Sequence, residues 1–312
     1  MNKHAFPLLA GLMAACLAAP ASANYSQIVA FGDSLSDNGN LFHLIGQPPA
    51  PYVNGRFSNG PVAVEVMAQT LGLGLTDFAF GGAKTGMGSH ISDALNGTGV
   101  AGQIAKYGML TGGHADASAL YMVWAGPNDF FSGMTDLSTP TTASNNLLND
   151  VTALYNMGAR DFFVPLMPNL GVTPMALGVN QTSPGFAALA SFQSLQFNSL
   201  LSNGLNQLQQ NLAGIQIRTF DTSGFLATQI AIMNGQAGKV TNLPCFDSTK
   251  KTVCANPDDY LFWDGVHPTA AAHNILGHAF AAAVPEPETY ALALAGLVIA
   301  VAARRRSVKT AA

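Results

Sequence analysis

A serine follows an apolar run near the start of the chain, in the stretch "IVAFGDSLSDNGN" at residues 28–40. Ser34 is the only serine in the sequence with a glycine, Gly32, two positions before it. A strand that ends in Gly-x-Ser can expose the hydroxyl at the carboxyl edge of a sheet, where α/β proteins build their sites. A hydroxyl alone is a weak nucleophile. Nucleophilic chemistry at Ser34 therefore requires a base, an orienting acid and oxyanion donors elsewhere in the chain.

The strongest candidate for the base is His267, which lies in the stretch "LFWDGVHPT". Asp264 precedes it by three residues, in a turn that contains Gly265 and is followed by Pro268. This spacing lets the carboxylate reach one imidazole nitrogen while the other nitrogen faces outward, as an oriented general base requires. In the alternative interpretation, Asp264 caps a helix that begins at Pro268 and His267 is incidental.

Two further histidines, His273 and His278, fall in the alanine-rich segment that follows. Neither has an acidic neighbour there, so we expect them to be packing or surface residues. A metal site could be drawn from Asp258, Asp259, His267 and His273, but their spacing matches no known metal-binding pattern. We therefore predict no metal.

Oxyanion donors are predicted in two stretches. "DFAFGGAKTG" places Gly81 and Gly82 after an apolar run, where a backbone N–H without a side chain can approach developing charge. "VWAGPNDFF" presents Asn128 after another apolar run, so its amide could donate a hydrogen bond at the same sheet edge as Ser34. A simple glycine turn and an Asx-turn are the alternatives.

These residues need a scaffold that brings them to one edge. Nearly continuous apolar runs predict buried parallel strands at residues 27–31, 119–124, 161–166 and 215–220, with a shorter candidate at 71–75. Helical spacing predicts helices at residues 61–71, 100–110, 144–157, 186–212 and 268–282. Strands that alternate with helices predict a three-layer α/β/α sandwich around a mainly parallel five-stranded sheet.

The N-terminal residues 1–23 have the pattern of a secretory signal peptide. Lys3 is followed by an apolar stretch, and Ala21-Ser22-Ala23 gives a small-residue cleavage site before Asn24. Cys16 raises the alternative of a lipoprotein signal, which the residues before it match poorly. We expect the mature protein to be exported.

The C-terminal stretch "VPEPETYALALAGLVIAVAARRR" has an apolar run at residues 290–303 followed by three arginines. The run is short for a membrane span, and the basic cluster suits a tail held transiently in the inner membrane. This pattern resembles the PEP-CTERM signal of Gram-negative bacteria. The resemblance implies removal by an exosortase-like sorting peptidase and an extracellular or cell-surface destination. The alternative is a weak anchor or a buried final helix.

Composition narrows the remaining possibilities. Residues 24–283 hold eight basic and fifteen acidic side chains, a net charge of about −7 without clustered lysine or arginine, which argues against a nucleic-acid partner. Cys245 and Cys254 remain as a pair once Cys16 is removed with the signal peptide. In an oxidising compartment we expect them to form one disulfide.

The motifs together resemble the GDSL lipase/esterase family, the SGNH hydrolases. Six blocks occur in the family's order over most of the chain: "FGDSLSDNGN", "NGRFSNGP", "FAFGGA", "GPNDF", "MPNLGVTP" and "LFWDGVHPT". The resemblance implies a flavodoxin-like SGNH fold, with Ser34 as nucleophile, His267 as base and Asp264 as its orienting partner. It also implies oxyanion donors from the Ser34 amide, Gly81 and Asn128, with Gly82 adjacent to Gly81.

The sequence thus predicts a hydrolase domain at residues 24–283, between the signal peptide and a sorting tail at 284–312. The expected activity is that of a secreted serine esterase or lipase, which cleaves small-molecule or lipid acyl esters through an acyl-enzyme and needs no cofactor. Acyltransferase action and removal of acetyl groups from polysaccharide are alternatives on the same scaffold. A surface or matrix protein with little catalytic role is a further alternative.

Overall fold

The computed structural model describes residues 25–284, and five parallel strands form its central sheet. They are β1 Gln27–Gly32, β2 Gly74–Asp77, β3 Leu120–Trp124, β4 Asp161–Pro165 and β5 Gln216–Phe220. The strand order is β2-β1-β3-β4-β5, which is the flavodoxin-like order. Strands β1, β3 and β4 are buried on both faces, which explains why their sequences are continuous apolar runs rather than alternating ones.

Helices cover both faces of this sheet. In the described part of the chain they are α1 Asn40–Ile45, α2 Ala63–Leu71, α3 Val100–Leu110, α4 Pro127–Gly133, α5 Thr139–Met157, α6 Pro174–Thr182, α7 Phe186–Asn211, α8 Thr222–Asn234 and α9 Ala270–Ala283. Helices α3, α4, α5 and α7 pack on one face, and α2 and α9 pack on the other. The predicted three-layer α/β/α sandwich is therefore confirmed.

Alternate residues of each strand supply the two cores. In β1, Val29 and Phe31 face the layer of α3 and α5, whereas Ile28 and Ala30 face α2 and α9. Trp124 and Phe163 join the second core, where both rings make edge contacts with Phe280 of α9. Burial of both faces fixes the register of the strands. The register in turn fixes where each strand ends and the following loop begins.

The predicted boundaries change at several points. The candidate strand at 71–75 begins at Gly74, because α2 continues to Leu71 and ends on Gly72 in the left-handed conformation. The helices expected to start at Pro61 and Pro268 begin at Ala63 and Ala270. The helix expected at 144–157 begins earlier, at Thr139.

Several elements have no counterpart among the predicted ones. They are α1, α4, α6, α8, the parallel pair β6 Val240–Pro244 and β9 Tyr260–Phe262, and the hairpin β7 Phe246–Asp247 and β8 Thr252–Val253. Most of these are too short for periodicity to identify. Helix α8 is apolar on most sides, so its sequence lacks the amphipathic pattern that predicts a surface helix.

Cys245 and Cys254 form a disulfide that closes the β7–β8 hairpin, as the sequence predicted. The Cys245 amide donates to Phe262 O at 3.0 Å and the Phe246 amide donates to Trp263 O at 2.6 Å. The hairpin is therefore attached to the segment that leads into Asp264.

The predicted signal peptide at 1–23 and the apolar run at 290–303 lie outside the described residues. Within residues 25–284, no helix has both the length and the apolar character that crossing a membrane requires.

Candidate active site

Ser34 lies in a tight turn immediately after β1. The Leu35 amide donates to Asp33 Oδ1 at 3.0 Å, and the Ser36 amide donates to Asp33 O at 3.0 Å. The Ser34 side chain reaches the surface of the site, and the residue is 8% exposed. The Ser34 backbone N–H donates to no acceptor among residues 25–284. It can therefore donate a hydrogen bond to a ligand bound beside the Ser34 hydroxyl.

The end of β1 is held by a buried glutamine that sequence reasoning missed. Gln103 accepts a hydrogen bond from the Gly32 amide at 2.9 Å and donates through Nε2 to Gly32 O at 2.8 Å. The Phe80 amide donates to the same carbonyl at 3.1 Å. Gln103 on α3 thus fixes the last strand residue before Ser34.

Ser34, His267 and Asp264 form a continuous hydrogen-bonded line. His267 Nε2 lies 2.7 Å from Ser34 Oγ, and His267 Nδ1 lies 2.7 Å from Asp264 Oδ2. A carboxylate can only accept, so Nδ1 carries the imidazole proton and Nε2 accepts from the Ser34 hydroxyl. The sequence separation of Ser34 and His267 is 233 residues, and the fold brings together the two residues that the sequence predicted.

Asp264 is a well-satisfied carboxylate. Oδ1 accepts from the Val266 and His267 amides at 2.9 and 2.8 Å, and Oδ2 also accepts from Tyr52 Oη at 2.6 Å. Burial acts to raise the pKa of Asp264, but His267 and the hydrogen bonds outweigh it and bring the pKa to about 2. Asp264 is therefore charged at neutral pH and can support an imidazolium.

The alternative in which Asp264 caps the following helix is wrong. Helix α9 is capped by Thr269, whose hydroxyl accepts from the Ala272 amide at 3.3 Å. The Asp264 carboxylate instead closes its own turn and binds His267.

Residues 57–59 brace the turn that carries His267. Ser58 Oγ donates to Pro268 O at 2.9 Å, and the Ala270 amide donates to Asn59 Oδ1 at 2.7 Å. The Phe57 ring packs against the His267 imidazole with centroids 5.0 Å apart. This segment belongs to the block "NGRFSNGP", and the contacts give it the role of holding the base in place.

The structure replaces Gly81 with Gly82 as the candidate oxyanion donor. The Gly81 amide donates to Asp37 Oδ2 at 2.7 Å, so it cannot also serve a ligand. The Gly82 amide has no acceptor in the described part of the chain, and Gly82 lines the cleft beside Ser34. Its φ of +80° is a conformation that favours glycine. Asp37 lies in the Ser34 block, yet nothing in the sequence pointed to this contact.

Asn128 is positioned at the start of α4, directly after β3. One hydrogen of its Nδ2 is used by Ala83 O at 3.0 Å, and the residue is buried but lines the same cleft as Gly82. A side-chain amide NH₂ has two N–H donors, so the second N–H of Asn128 can donate to a ligand in the cleft. Ser34 follows β1 and Asn128 follows β3, the two strands that flank the switch point of this strand order, where ligands bind.

Asp33 lies beneath the site with Oδ2 buried and without a hydrogen-bond partner among the described residues. Burial raises the pKa of Asp33 to about 7, although the Leu35 amide and His267 act in the opposite direction. Near neutral pH its carboxyl is thus partly protonated, which limits the negative charge next to Ser34.

The rival histidines lie elsewhere. His273 is buried, its Nδ1 accepts from the Ala63 amide at 3.2 Å, and burial lowers its pKa to about 3. His278 contacts Thr70 at the surface. Within residues 25–284, no three His, Cys, Asp or Glu side chains gather into a group that could hold a metal ion.

Two clefts meet at Ser34 and His267. The first, which we call the helix cleft, runs between α8 and α9 and is lined by Leu226, Met233, Ala272 and Ile275. The second, which we call the loop cleft, is lined by Gly82, Ile91, Asn128 and Met175. The serine hydroxyl and the imidazole are thus accessible from two directions.

A serine, a histidine and an aspartate lie in line at the switch point of a flavodoxin-like sheet. This is the arrangement of a serine hydrolase with an α/β fold. The chain belongs to the GDSL-like lipase/acylhydrolase family, whose model matches residues 28–280. Residues 283–306 match the PEP-CTERM protein-sorting motif.

The chain is also similar to individual curated proteins and solved structures. A GDSL esterase/lipase of Arabidopsis thaliana is 25% identical, over 80% of this chain and 88% of its own length. The thermolabile hemolysin of Vibrio parahaemolyticus is 26% identical, over 80% of this chain and 61% of its own. The solved structure of a lipolytic G-D-S-L family member from Veillonella parvula is 16% identical, with a TM-score of 0.45, and covers 83% of this chain and 97% of its own.

Proposed function

We propose that the protein is a serine esterase that hydrolyses carboxylic esters through an acyl-enzyme on Ser34. The observation that carries the proposal is the unbroken line from Ser34 Oγ through His267 to Asp264, with both contacts at 2.7 Å. Membership of the lipase/acylhydrolase family supports it.

In the first step, Ser34 Oγ attacks the ester carbonyl carbon as its proton passes to His267 Nε2. The carbonyl oxygen becomes an oxyanion, which the Ser34 and Gly82 amides and Asn128 Nδ2 stabilise by hydrogen bonds. The bond between the carbonyl carbon and the alcohol oxygen then breaks. The alcohol leaves with the proton from His267, and the acyl group remains on Ser34.

In the second step, a water molecule takes the place of the alcohol. His267 accepts one of its protons, its oxygen attacks the acyl carbon, and the same donors stabilise the second oxyanion. The bond to Ser34 Oγ breaks, the proton returns to Ser34, and the carboxylic acid is released. Throughout both steps Asp264 accepts a hydrogen bond from the protonated Nδ1 and stabilises the positive charge of the imidazolium.

The test is Ser34→Ala assayed with p-nitrophenyl acetate and butyrate. We expect kcat/KM to fall by about 10³-fold or more, because binding and oxyanion stabilisation alone leave only residual catalysis. Ser138→Ala, at an exposed helix start, is the matched control and should keep full activity. An alkyl phosphonate should label the unsubstituted protein on the peptide that contains Ser34. Undiminished turnover in Ser34→Ala, or a label elsewhere, would show that the assignment is wrong.

We further propose that the tail directs this esterase to the exterior of a Gram-negative cell. The match to the protein-sorting motif at 283–306 supports removal of the tail by an exosortase-like peptidase. Intact mass of the protein recovered from its native host should correspond to a chain that starts at Asn24 and lacks residues 290–312. A full-length C-terminus in the membrane fraction would instead identify the tail as an anchor.

A further inference from the structure

We propose that the helix cleft binds the aliphatic acyl chain of the substrate, so that the enzyme prefers medium-length acyl esters to acetyl esters. This inference rests on the proposed esterase function and specifies its substrate class. It also assigns the loop cleft to the departing alcohol and the incoming water.

One wall of the helix cleft is an apolar stripe on α9. Ala272, Ile275 and Leu276, together with Pro268 just before the helix, recur at helical spacing and line the cleft. Leu276 also packs in the second core with Phe280, so the stripe begins at the edge of the core face of α9. Ala272 and Ile275 extend it outward, since Ala272 is half-buried and Ile275 is 49% exposed.

The facing wall is α8, which has an unusual composition for its position. Its sequence includes Phe225, Leu226, Ile230, Ile232 and Met233, yet Thr222 is its only fully buried residue. An apolar helix that leaves these side chains partly exposed presents a surface that a bound apolar group would cover. Phe225, Leu226 and Met233 line the cleft directly.

The base of the cleft, near Ser34, is formed by Leu35, Trp124 and Phe262, all buried. No lysine or arginine lines the cleft, and its titratable side chains are Asp33, Asp258, Tyr260 and His267. An acyl group that carries a carboxylate or phosphate would have no counter-charge here, whereas each methylene removed from water stabilises binding by about 0.8 kcal/mol. A hydrocarbon chain fits this chemistry.

The order of chemical steps assigns the two clefts. When water attacks the acyl-enzyme, the acyl chain is still bound, so alcohol and water must use the other approach to the carbonyl. Both clefts have apolar walls, and the loop cleft differs in holding Gly82, Asn128 and His90, whose polar groups can contact an alcohol or a water molecule. We therefore assign the loop cleft to the exchanging species and the helix cleft, between two apolar helices, to the group that stays.

The experiment measures kcat/KM for p-nitrophenyl acetate, butyrate, octanoate and laurate. We expect octanoate to exceed acetate by at least tenfold, well below the limit that about 0.8 kcal/mol for each added methylene would allow. A preference for acetate, or a flat profile, would overturn the acyl-cleft proposal while leaving the esterase function intact. Absence of turnover on all four esters and of any phosphonate label on Ser34 would instead overturn the esterase function itself.

Ala272→Trp fills the helix cleft from α9 and should lower the octanoate-to-acetate ratio of kcat/KM by roughly tenfold. Asn274→Trp adds the same ring at an exposed position of the same helix and should leave the ratio unchanged. If Ala272→Trp lowers the melting temperature too far to assay, Leu226→Trp obstructs the cleft from the facing helix. An unchanged ratio in the folded cleft variant would show that the chain binds elsewhere.

Discussion

The hydroxyl of Tyr52 donates a 2.6 Å hydrogen bond to Asp264 Oδ2, the oxygen that also accepts from His267 Nδ1. Burial and the nearby Asp264 charge raise the pKa of Tyr52, so the hydroxyl stays protonated and remains a donor. Its ring makes edge contacts with Phe246, in the disulfide hairpin, and with Trp263, whose carbonyl accepts a hydrogen bond from the Phe246 amide. Tyr52 is thus a positioning residue that acts on His267 through Asp264.

Tyr52→Phe keeps the ring and removes only the donor. A hydrogen bond to a charged group is worth about 1.5–3 kcal/mol, so we expect kcat to fall by roughly tenfold or more while KM changes by less than about twofold. Tyr155→Phe, which loses a surface hydrogen bond to Ala213 O, is the matched control and should not alter kcat. Parallel changes in KM and kcat would indicate a general disturbance of the site rather than positioning of Asp264.

Asn128→Ala should lower kcat by roughly 10²–10³-fold with a much smaller change in KM, because the amide is needed where charge develops in the transition state. Part of the loss could come from the broken contact with Ala83 O. Asn146→Ala is the control, because among residues 25–284 Asn146 Nδ2 donates only to Thr85 Oγ1, two residues along the chain from Ala83. It measures the cost of losing an amide hydrogen bond to this loop without removing an oxyanion donor. A loss confined to KM would make Asn128 a substrate-binding residue.

Replacing both Cys245 and Cys254 with serine should reduce stability more than activity. The bridge closes a short loop, so its loss should cost about 2–3 kcal/mol and lower the melting temperature by roughly 5–10 °C. At 25 °C, kcat should remain within about twofold. Titration of the unreduced, denatured mature protein, from which Cys16 is removed, should find no free thiol, and two titrating thiols would refute the bridge.

Asp150→Asn should stabilise the protein at neutral and alkaline pH. Burial, with the charge of Asp129, raises the pKa of Asp150 to about 8, and its Oδ2 has no partner among the described residues. The folded state therefore keeps a proton that the unfolded state has already released, so the contribution of Asp150 to stability falls as pH rises from about 4 to about 8. Asparagine carries no charge and avoids this loss.

Urea unfolding of Asp150→Asn at pH 4 and pH 8 checks the sign. We expect little difference from the unsubstituted protein at pH 4 and an advantage of up to a few kcal/mol at pH 8. Asp93→Asn removes the same charge at an exposed position and should show no such growth with pH. An advantage of equal size at both pH values would mean that the effect comes from packing and not from titration.

The sequence by itself determined the parts that depend on local chemistry. Continuous apolar runs identified β1, β3 and β4, because burial on both faces leaves no polar side to the pattern. Asp264 and His267 were identifiable because their contact spans only three residues in one turn. Ser34 was identifiable because a glycine and a strand end directly precede it.

The tertiary structure decided the contacts that join distant segments. Tyr52 and Asp264 are 212 residues apart and Gln103 and Gly32 are 71 apart, so no spacing rule links them. The choice between Gly81 and Gly82 depended on a carboxylate 44 residues away, which binds the first amide and leaves the second free. Hydrogen bonds of this kind exist only once the strands are in register. The local sequence can therefore identify the candidate reacting groups. The residues that position them, and the cleft between α8 and α9, can be identified only from the tertiary structure.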